Sequence, residues 1–199
     1  MPGEDLHVAG ANYTRRAKVW LERTTRVQAS WMVGQRFGSN KLTFRWPFGG
    51  QQFSFDIGGI LRGDEFDGQS FLVESKGYMS PSDQGSHYRA YLAKCYAARQ
   101  QFEAFTENFM WITWCPFNIG SWRDLCGPEM VKKSVLAERE RVLGKADLDE
   151  AEALLDEGLV DDVASRLWMI VLSERQEQLV ISPRDLSQIE QIRVERGWS

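Results

Sequence analysis

Three side chains of this sequence could act together in chemistry: the carboxylate of Asp56 and the acidic and basic ends of Glu74-Ser75-Lys76. An acid two residues before a lysine is a short pattern, and chance produces it readily in a chain with 28 acidic residues. Its meaning therefore depends on the elements that carry it. Because alternate residues of a β-strand share a face, Glu74 and Lys76 point to the same side if Ser70–Lys76 is a strand.

The preceding segment predicts the partner strand of a hairpin. Residues 51–60 alternate, which places Asp56 on one face and three apolar side chains on the other, namely Phe53, Phe55 and Ile57. The turn residues Arg62–Gly68 centre the hairpin near residue 65, so Asp56 is expected opposite Glu74. Since unpaired charges are costly to bury, we expect this charged face of the hairpin to line a cleft that holds a cation.

Two carboxylates at one site supply the hard oxygen ligands that Mg²⁺ or Mn²⁺ prefers. Such a metal activates a bound water and stabilises charge on a phosphoryl oxygen, while Lys76 would hold the water or neutralise that charge. We expect Gly58 and Gly59 to leave room for the backbone of a substrate. The alternative is a structural ladder of ion pairs on a solvated sheet face.

The order of these residues resembles the PD-(D/E)XK nuclease superfamily, which has the restriction-endonuclease-like fold. The resemblance consists of Phe55-Asp56, a hairpin and Val73–Lys76, with a helix before them and a helix and an apolar strand after them. It covers about residues 14–117. It implies that Asp56 and Glu74 bind the metal and that Lys76 acts at the nucleophile. Phe55 stands where the family has proline.

The same resemblance implies further site residues on the two flanking helices. Many members add a glutamate from the first helix, for which Glu22 is the candidate. The helical wheel places Glu22 opposite the apolar face, where it could instead pair with Lys18 and Arg26. Some members add a polar residue from the helix after the lysine, and here the sequence leaves three candidates open: Gln84, His87 and Tyr88.

The hydrophobic pattern predicts a mixed α/β fold with an α-β-β-β-α-β core in residues 1–127, in which helices flank a central mixed sheet. Residues 128–199 are predicted to be a C-terminal elaboration of helices and a hairpin, packed on the core in the same domain. The predicted helices are 14–32, 86–106, 128–143, 147–157 and one from 182. The predicted strands are 41–46, 51–60, 70–76, 109–117, 166–172 and 179–182.

Composition and charge exclude several classes of protein. The apolar runs are far too short to cross a membrane, and two histidines with three scattered cysteines argue against a zinc site. Cysteines without a disulfide framework favour a reducing compartment, so we expect a cytoplasmic protein. Eight basic and three acidic residues in the first 46 could face a polyanion, and we expect phosphate contacts from Arg15, Lys18 and Arg26.

These observations predict a hydrolase: a Mg²⁺- or Mn²⁺-dependent endonuclease that cleaves phosphodiester bonds, with DNA as the expected substrate. One small domain offers limited surface for reading a base sequence, so a homodimer or partner proteins in a larger complex are expected to supply specificity. The alternative is a catalytically silent subunit of this fold that binds nucleic acid or protein in an assembly. An enzyme acting on a small phosphorylated molecule lacks a glycine-rich phosphate loop to recommend it.

Overall fold

The computed structural model describes residues 2–35, 38–77 and 83–197. Its first half contains α1 (Pro2–Thr24), β1 (Val27–Met32), α2 (Gly38–Leu42), β2 (Thr43–Arg45), β3 (Gln52–Ser54), β4 (Ile57–Leu61), β5 (Ser70–Lys76) and α3 (Gln84–Gln101). The second half contains β6 (Asn108–Thr113), α4 (Pro128–Ala137), α5 (Arg139–Val142), α6 (Leu148–Leu154), α7 (Glu157–Ser165), β7 (Leu167–Val171), α8 (Glu174–Glu177) and α9 (Pro183–Glu195).

A central five-stranded sheet with the order β1-β4-β5-β6-β7 organises the fold. The pairs β1–β4 and β4–β5 are antiparallel, whereas β5–β6 and β6–β7 are parallel. The sheet is therefore mixed, and helices lie against it, which confirms the predicted mixed α/β class. The parallel strands β6 and β7 are joined by α4–α7, in agreement with the long crossover that parallel pairing requires.

Both faces of the sheet are covered. On one face, Ala17 and Leu21 of α1 pack with Ile57 and Val73. On the other face, Leu72 and Trp111 belong to a larger cluster with α3, α4 and α7. Every residue of β6 is buried, which confirms a strand covered on both sides, although it spans Asn108–Thr113 and not the predicted residues 109–117.

The interpretation of residues 51–60 as one strand with a single apolar face was wrong. The strand breaks at Asp56, so that β3 pairs with β2 in a separate two-stranded sheet while β4 pairs with β5. Phe55 packs in the α3-side cluster and Ile57 in the α1-side cluster. The break changes which face the chain presents, and it places Asp56 at the junction of the two sheets.

Three other predicted elements differ from the structure. The first helix ends at Thr24, and Val27–Met32 forms an edge strand because pairing with β4 outweighs the helical spacing of Gln28 and Trp31. The predicted strand over residues 41–46 is the end of α2 followed by β2. The predicted C-terminal hairpin is absent from the described residues: β7 instead pairs parallel to β6, and residues 179–182 form no strand.

Local capping fixes the helix boundaries in the C-terminal part. The side chain of Asp147 accepts a hydrogen bond from Glu150 N at 3.0 Å and so caps the N-terminus of α6. Pro128 and Pro183 occupy the first turns of α4 and α9, as expected for a residue that lacks a backbone donor. Among the described residues, no helix combines the length and the apolar character needed to cross a membrane.

The glycines of β4 face the protein's own atoms, not an open channel. A Cβ added to Gly58 would meet the Leu42 side chain at 2.4 Å, and one added to Gly59 would meet Ala29 O at 2.3 Å. The expectation that these glycines leave room for a substrate backbone was therefore wrong. They allow α2 and β1 to approach β4.

We predict that Gly59→Ala lowers the free energy of unfolding by about 2–3 kcal/mol, because the new methyl group would overlap Ala29 O and the Phe71 ring. Denaturant unfolding measures this change. Gly10→Ala is the control, since a Cβ there meets nothing within 4 Å and the substitution favours a helix by up to about 1 kcal/mol. A fully stable Gly59→Ala variant would contradict the packing role.

Candidate active site

Asp56 is held at the junction of β3 and β4 by backbone hydrogen bonds on two sides. Its N–H donates to Val73 O at 2.8 Å, and its carbonyl accepts from Val33 N at 3.1 Å. The register of the hairpin pairs Ile57 with Val73, so Asp56 and Glu74 are opposite one another. This confirms the predicted hairpin register, with its turn centred near residue 65.

The Asp56 carboxylate is anchored by the residue between Glu74 and Lys76. Oδ2 accepts from Ser75 N at 2.8 Å and from Ser75 Oγ at 3.2 Å. Ser75 Oγ is also 2.8 Å from Thr14 Oγ1 on α1. Because Ser75 faces α1, this chain of hydroxyls ties the orientation of Asp56 to the first helix.

Glu74 faces the opposite side of the sheet, toward α3, and is 5% exposed. Two ammonium groups neutralise it. Lys76 Nζ is 2.9 Å from Oε1, and Lys94 Nζ of α3 is 3.4 Å from both oxygens. Lys94 also donates to Ser54 O at 3.3 Å, so it links α3 to the segment that leads into Asp56.

The electrostatics of the site leave Asp56 poorly compensated. Burial raises the pKa of Asp56 from 3.8 to about 6, the nearby Glu74 carboxylate adds to this rise, and Lys76 and the Ser75 hydrogen bonds oppose it. The ionised form of Asp56 is thus held in an unfavourable environment. A cation placed beside this carboxylate would stabilise its ionised form.

The carboxylates of Asp56 and Glu74 are the type of oxygen ligand that Mg²⁺ takes. No cluster of three or more His, Cys, Asp or Glu suited to a metal occurs in residues 2–35, 38–77 and 83–197. Mg²⁺ commonly takes one or two carboxylates and completes its shell with water and substrate phosphates. Asp56 and Glu74 would be its protein ligands, and the ammonium groups on Glu74 would have to share that carboxylate.

Glu22, the third metal ligand expected from the resemblance, is not brought to this pair. Its Oε1 accepts from Lys18 Nζ and, at 2.8 Å, from Ser30 Oγ. It lines a crevice of about 510 Å³ with Arg62 and Glu190, beside α9. The alternative pairing of Glu22 with Lys18 is therefore confirmed, whereas Arg26 pairs elsewhere.

The three expected phosphate-binding residues do not form one surface around the carboxylates. Arg26 pairs with Asp64 at 2.6 Å, at the end of β4 that lies opposite Asp56. Lys18 is engaged with Glu22. Arg15 is exposed on α1. Arg26 was predicted to lie in the first helix, but it follows the helix and pairs with the β4–β5 turn.

Of the three candidate site residues on the helix after Lys76, two are buried and hydrogen-bonded and one is exposed. Gln84 is buried, donates to Cys115 O at 3.1 Å and accepts from Thr113 Oγ1 at 2.9 Å. Tyr88 is buried and donates to Leu125 O at 2.9 Å, and His87 is exposed. Gln84 and Tyr88 thus fasten α3 to β6 and to the following loop.

Sequence reasoning missed Lys94, which contacts Glu74 directly. The signal was present, since Lys94 is the one charged residue in the otherwise apolar and aromatic run of residues 91–98. A lysine on the covered face of a helix needs a partner, because a buried charge without one is costly. Glu74 is the acid that satisfies this requirement.

Comparison with known proteins gives little. No family model and no curated protein matches this sequence. Among solved structures, a Moraxella osloensis Cap4 SAVED/CARF-domain containing receptor matches with a TM-score of 0.39 and 11% identity. The match covers 84% of this chain and 33% of that one, so the chain spans about a third of the receptor's length.

We predict that Asp56→Asn stabilises the metal-free protein at pH 8. The native pKa of Asp56 is raised, so its contribution to stability is present below pH 3.8 and is lost as the pH rises through about 6. Asparagine keeps an acceptor for Ser75 N and removes the charge. Denaturant unfolding with EDTA should give a gain of about 2 kcal/mol at pH 8. The gain should vanish near pH 3.5, and an equal gain at both pH values would contradict the electrostatic origin.

We predict that Ser75→Ala destabilises the protein by about 1–2 kcal/mol, because it removes the hydroxyl shared by Asp56 and Thr14. Thr14→Val should cost less in the Ser75→Ala background than in the wild type, with a coupling of about 0.5–1 kcal/mol in a double-mutant cycle of denaturant unfolding. Thr14→Ser, which keeps the hydroxyl, is the control. Strict additivity would show that the Thr14–Ser75 contact contributes nothing.

Proposed function

We propose that this protein is a metal-dependent nuclease that hydrolyses phosphodiester bonds, with DNA as the substrate. The observation that carries the proposal is the hairpin register, which sets Asp56 opposite Glu74, with Lys76 Nζ 2.9 Å from Glu74. The raised pKa of Asp56 adds support, because a carboxylate in that environment favours a bound cation. The resemblance to PD-(D/E)XK nucleases points to the same three residues.

The chain's own groups divide the work of hydrolysis. Asp56 and Glu74 would hold the cation, and Ser75 fixes the direction of Asp56 through its N–H and hydroxyl. A divalent cation at this place lowers the pKa of water and stabilises charge on a phosphoryl oxygen. Lys76 orients the attacking water and neutralises the negative charge that develops on the phosphate.

The reaction balances with water as the co-reactant. The water oxygen forms a bond to phosphorus and gives up one proton to solvent. The bond between phosphorus and the leaving sugar oxygen breaks, and that oxygen keeps the electron pair and takes up a proton. The products are a phosphomonoester and a hydroxyl end.

The preference for a polyanion is supported by charge next to the carboxylates. Lys76 lies at Glu74, and its side chain is 26% exposed. A net charge of −4 argues against tight coating of DNA, so we propose that a second copy or a partner protein adds affinity and specificity. The free thiols of Cys95, Cys115 and Cys126 support a cytoplasmic location.

We predict that the purified protein nicks or linearises supercoiled plasmid with Mg²⁺ or Mn²⁺, and that EDTA abolishes cleavage. Lys76→Ala should lower the rate at least about 100-fold, since it removes the group at the nucleophile. Agarose gels measure the rate, and single-stranded DNA and RNA of the same sequence test the substrate. Lys132→Ala, which breaks an ion pair with Glu157 in the α4–α7 region, is the matched control.

Cleavage that persists in Lys76→Ala would assign the activity to another site or to contamination. Absence of cleavage on every substrate, with both metals, would count against the nuclease. Equal rates on DNA and RNA would overturn the assignment of DNA as the preferred substrate.

One observation favours a second candidate, a catalytically silent module that binds nucleic acid or protein. Both oxygens of Glu74 are contacted by lysine ammonium groups, and a buried ion pair of this kind is stable without any metal. Thermal unfolding with Mn²⁺ separates the two candidates. The nuclease should be stabilised by Mn²⁺ in a manner that Asp56→Ala abolishes, whereas the silent module should show no such dependence.

A further inference from the structure

Lys94 contacts Glu74, yet the proposed hydrolysis gives it no role. It lies on α3. Its Nζ is 3.4 Å from each oxygen of Glu74 and 3.3 Å from Ser54 O. A lysine ammonium has three donors, and these contacts supply three acceptors.

The position of Lys94 differs from that of Lys76 in a way that matters for a metal. Lys76 Nζ is 2.9 Å from Oε1 of Glu74, whereas Lys94 Nζ is 3.4 Å from both oxygens. A cation that binds Glu74 through Oε2 therefore has to displace the Lys94 ammonium. The contacts of Lys94 are long, so the ion pair is one that a divalent cation can displace.

The same contacts keep Glu74 in place before any cation arrives. The side chain of Glu74 is 7% exposed, and a carboxylate so buried needs a positive partner. Lys94 supplies it from α3 and, through Ser54 O, connects it to the segment that leads into Asp56. The side chain of Lys94 remains 21% exposed, so the ammonium can move aside without unfolding the helix.

We propose that Lys94 is a positioning residue that competes with the metal for Glu74: it holds this carboxylate in the metal-free protein and withdraws when a divalent cation binds. This inference rests on the proposed metal-dependent hydrolysis. On this inference, the affinity of the site for metal depends in part on Lys94, which is not itself a metal ligand.

The test is isothermal titration of the full chain with Mn²⁺ alone. Lys94→Met removes the competing charge and keeps the length of the side chain, so the dissociation constant should fall roughly three- to tenfold. The metal-free variant should also unfold at a lower temperature, because Glu74 loses a partner. Lys94→Arg keeps the charge and should bind Mn²⁺ with nearly the wild-type affinity.

Competition for Glu74 differs in its expected result from a structural role and from a general effect of charge. A purely structural role for Lys94 predicts the opposite sign, since a misplaced Glu74 would bind metal more weakly. A general effect of removing positive charge predicts that Lys76→Met tightens binding as much as Lys94→Met does. Competition at both oxygens predicts a smaller gain for Lys76→Met.

The outcomes are distinct. Tighter binding in Lys94→Met than in Lys76→Met supports the inference, and unchanged or weaker binding in a folded Lys94→Met overturns it while leaving the nuclease standing. Lys94→Gln, whose amide can still donate to Ser54 O, carries the same expectation if the methionine variant fails to fold. If the wild type binds no Mn²⁺, or if Asp56→Ala binds it equally well, the proposed function is refuted and this inference with it.

Discussion

The hydrogen bonds from Ser75 to Asp56 are the interaction on which the site depends. The chain passes from a small hairpin into the central sheet at Asp56, and a charged residue at such a junction must find partners within a short distance. The N–H and hydroxyl of Ser75 provide them. Because Ser75 lies between Glu74 and Lys76, the same short segment of β5 anchors one carboxylate and carries the other, which fixes their separation.

The two faces of the sheet contribute differently to this arrangement. On the α1 side, Thr14 reaches Ser75 through a hydroxyl contact, so neutral groups orient Asp56. On the α3 side, Lys94 reaches Glu74, so charge compensates charge. The position of β5 in the middle of the sheet makes this division possible, because alternate residues of one strand then contact two different helices. A shift of β5 by one residue would exchange the two environments.

Much of the site could be predicted because it depends on local pattern. The turn near residue 65 determines the register that sets Asp56 against Glu74, and the apolar run of β6 needs no tertiary information. What failed depended on contacts distant in sequence. Residues 27–32 satisfy helical spacing until β4 is available to pair with them, and β7 pairs parallel to β6 only because α4–α7 carry the chain across. Lys94 differs from these cases, because the sequence itself shows a single charged residue among apolar neighbours.

The distribution of charge at the site explains why its two carboxylates are not equivalent. Glu74 has two ammonium groups in contact, whereas the bonds described for Asp56 come from neutral donors, and burial together with Glu74 raises its pKa. Neutral donors orient a carboxylate but compensate its charge less than an ammonium does. The charge of Glu74 is thus compensated by lysines of the protein, whereas the pKa of Asp56 stays raised despite the opposing effect of Lys76. A ligand that brings positive charge to Asp56 would stabilise the ionised carboxylate, and this stabilisation would add to the free energy of binding.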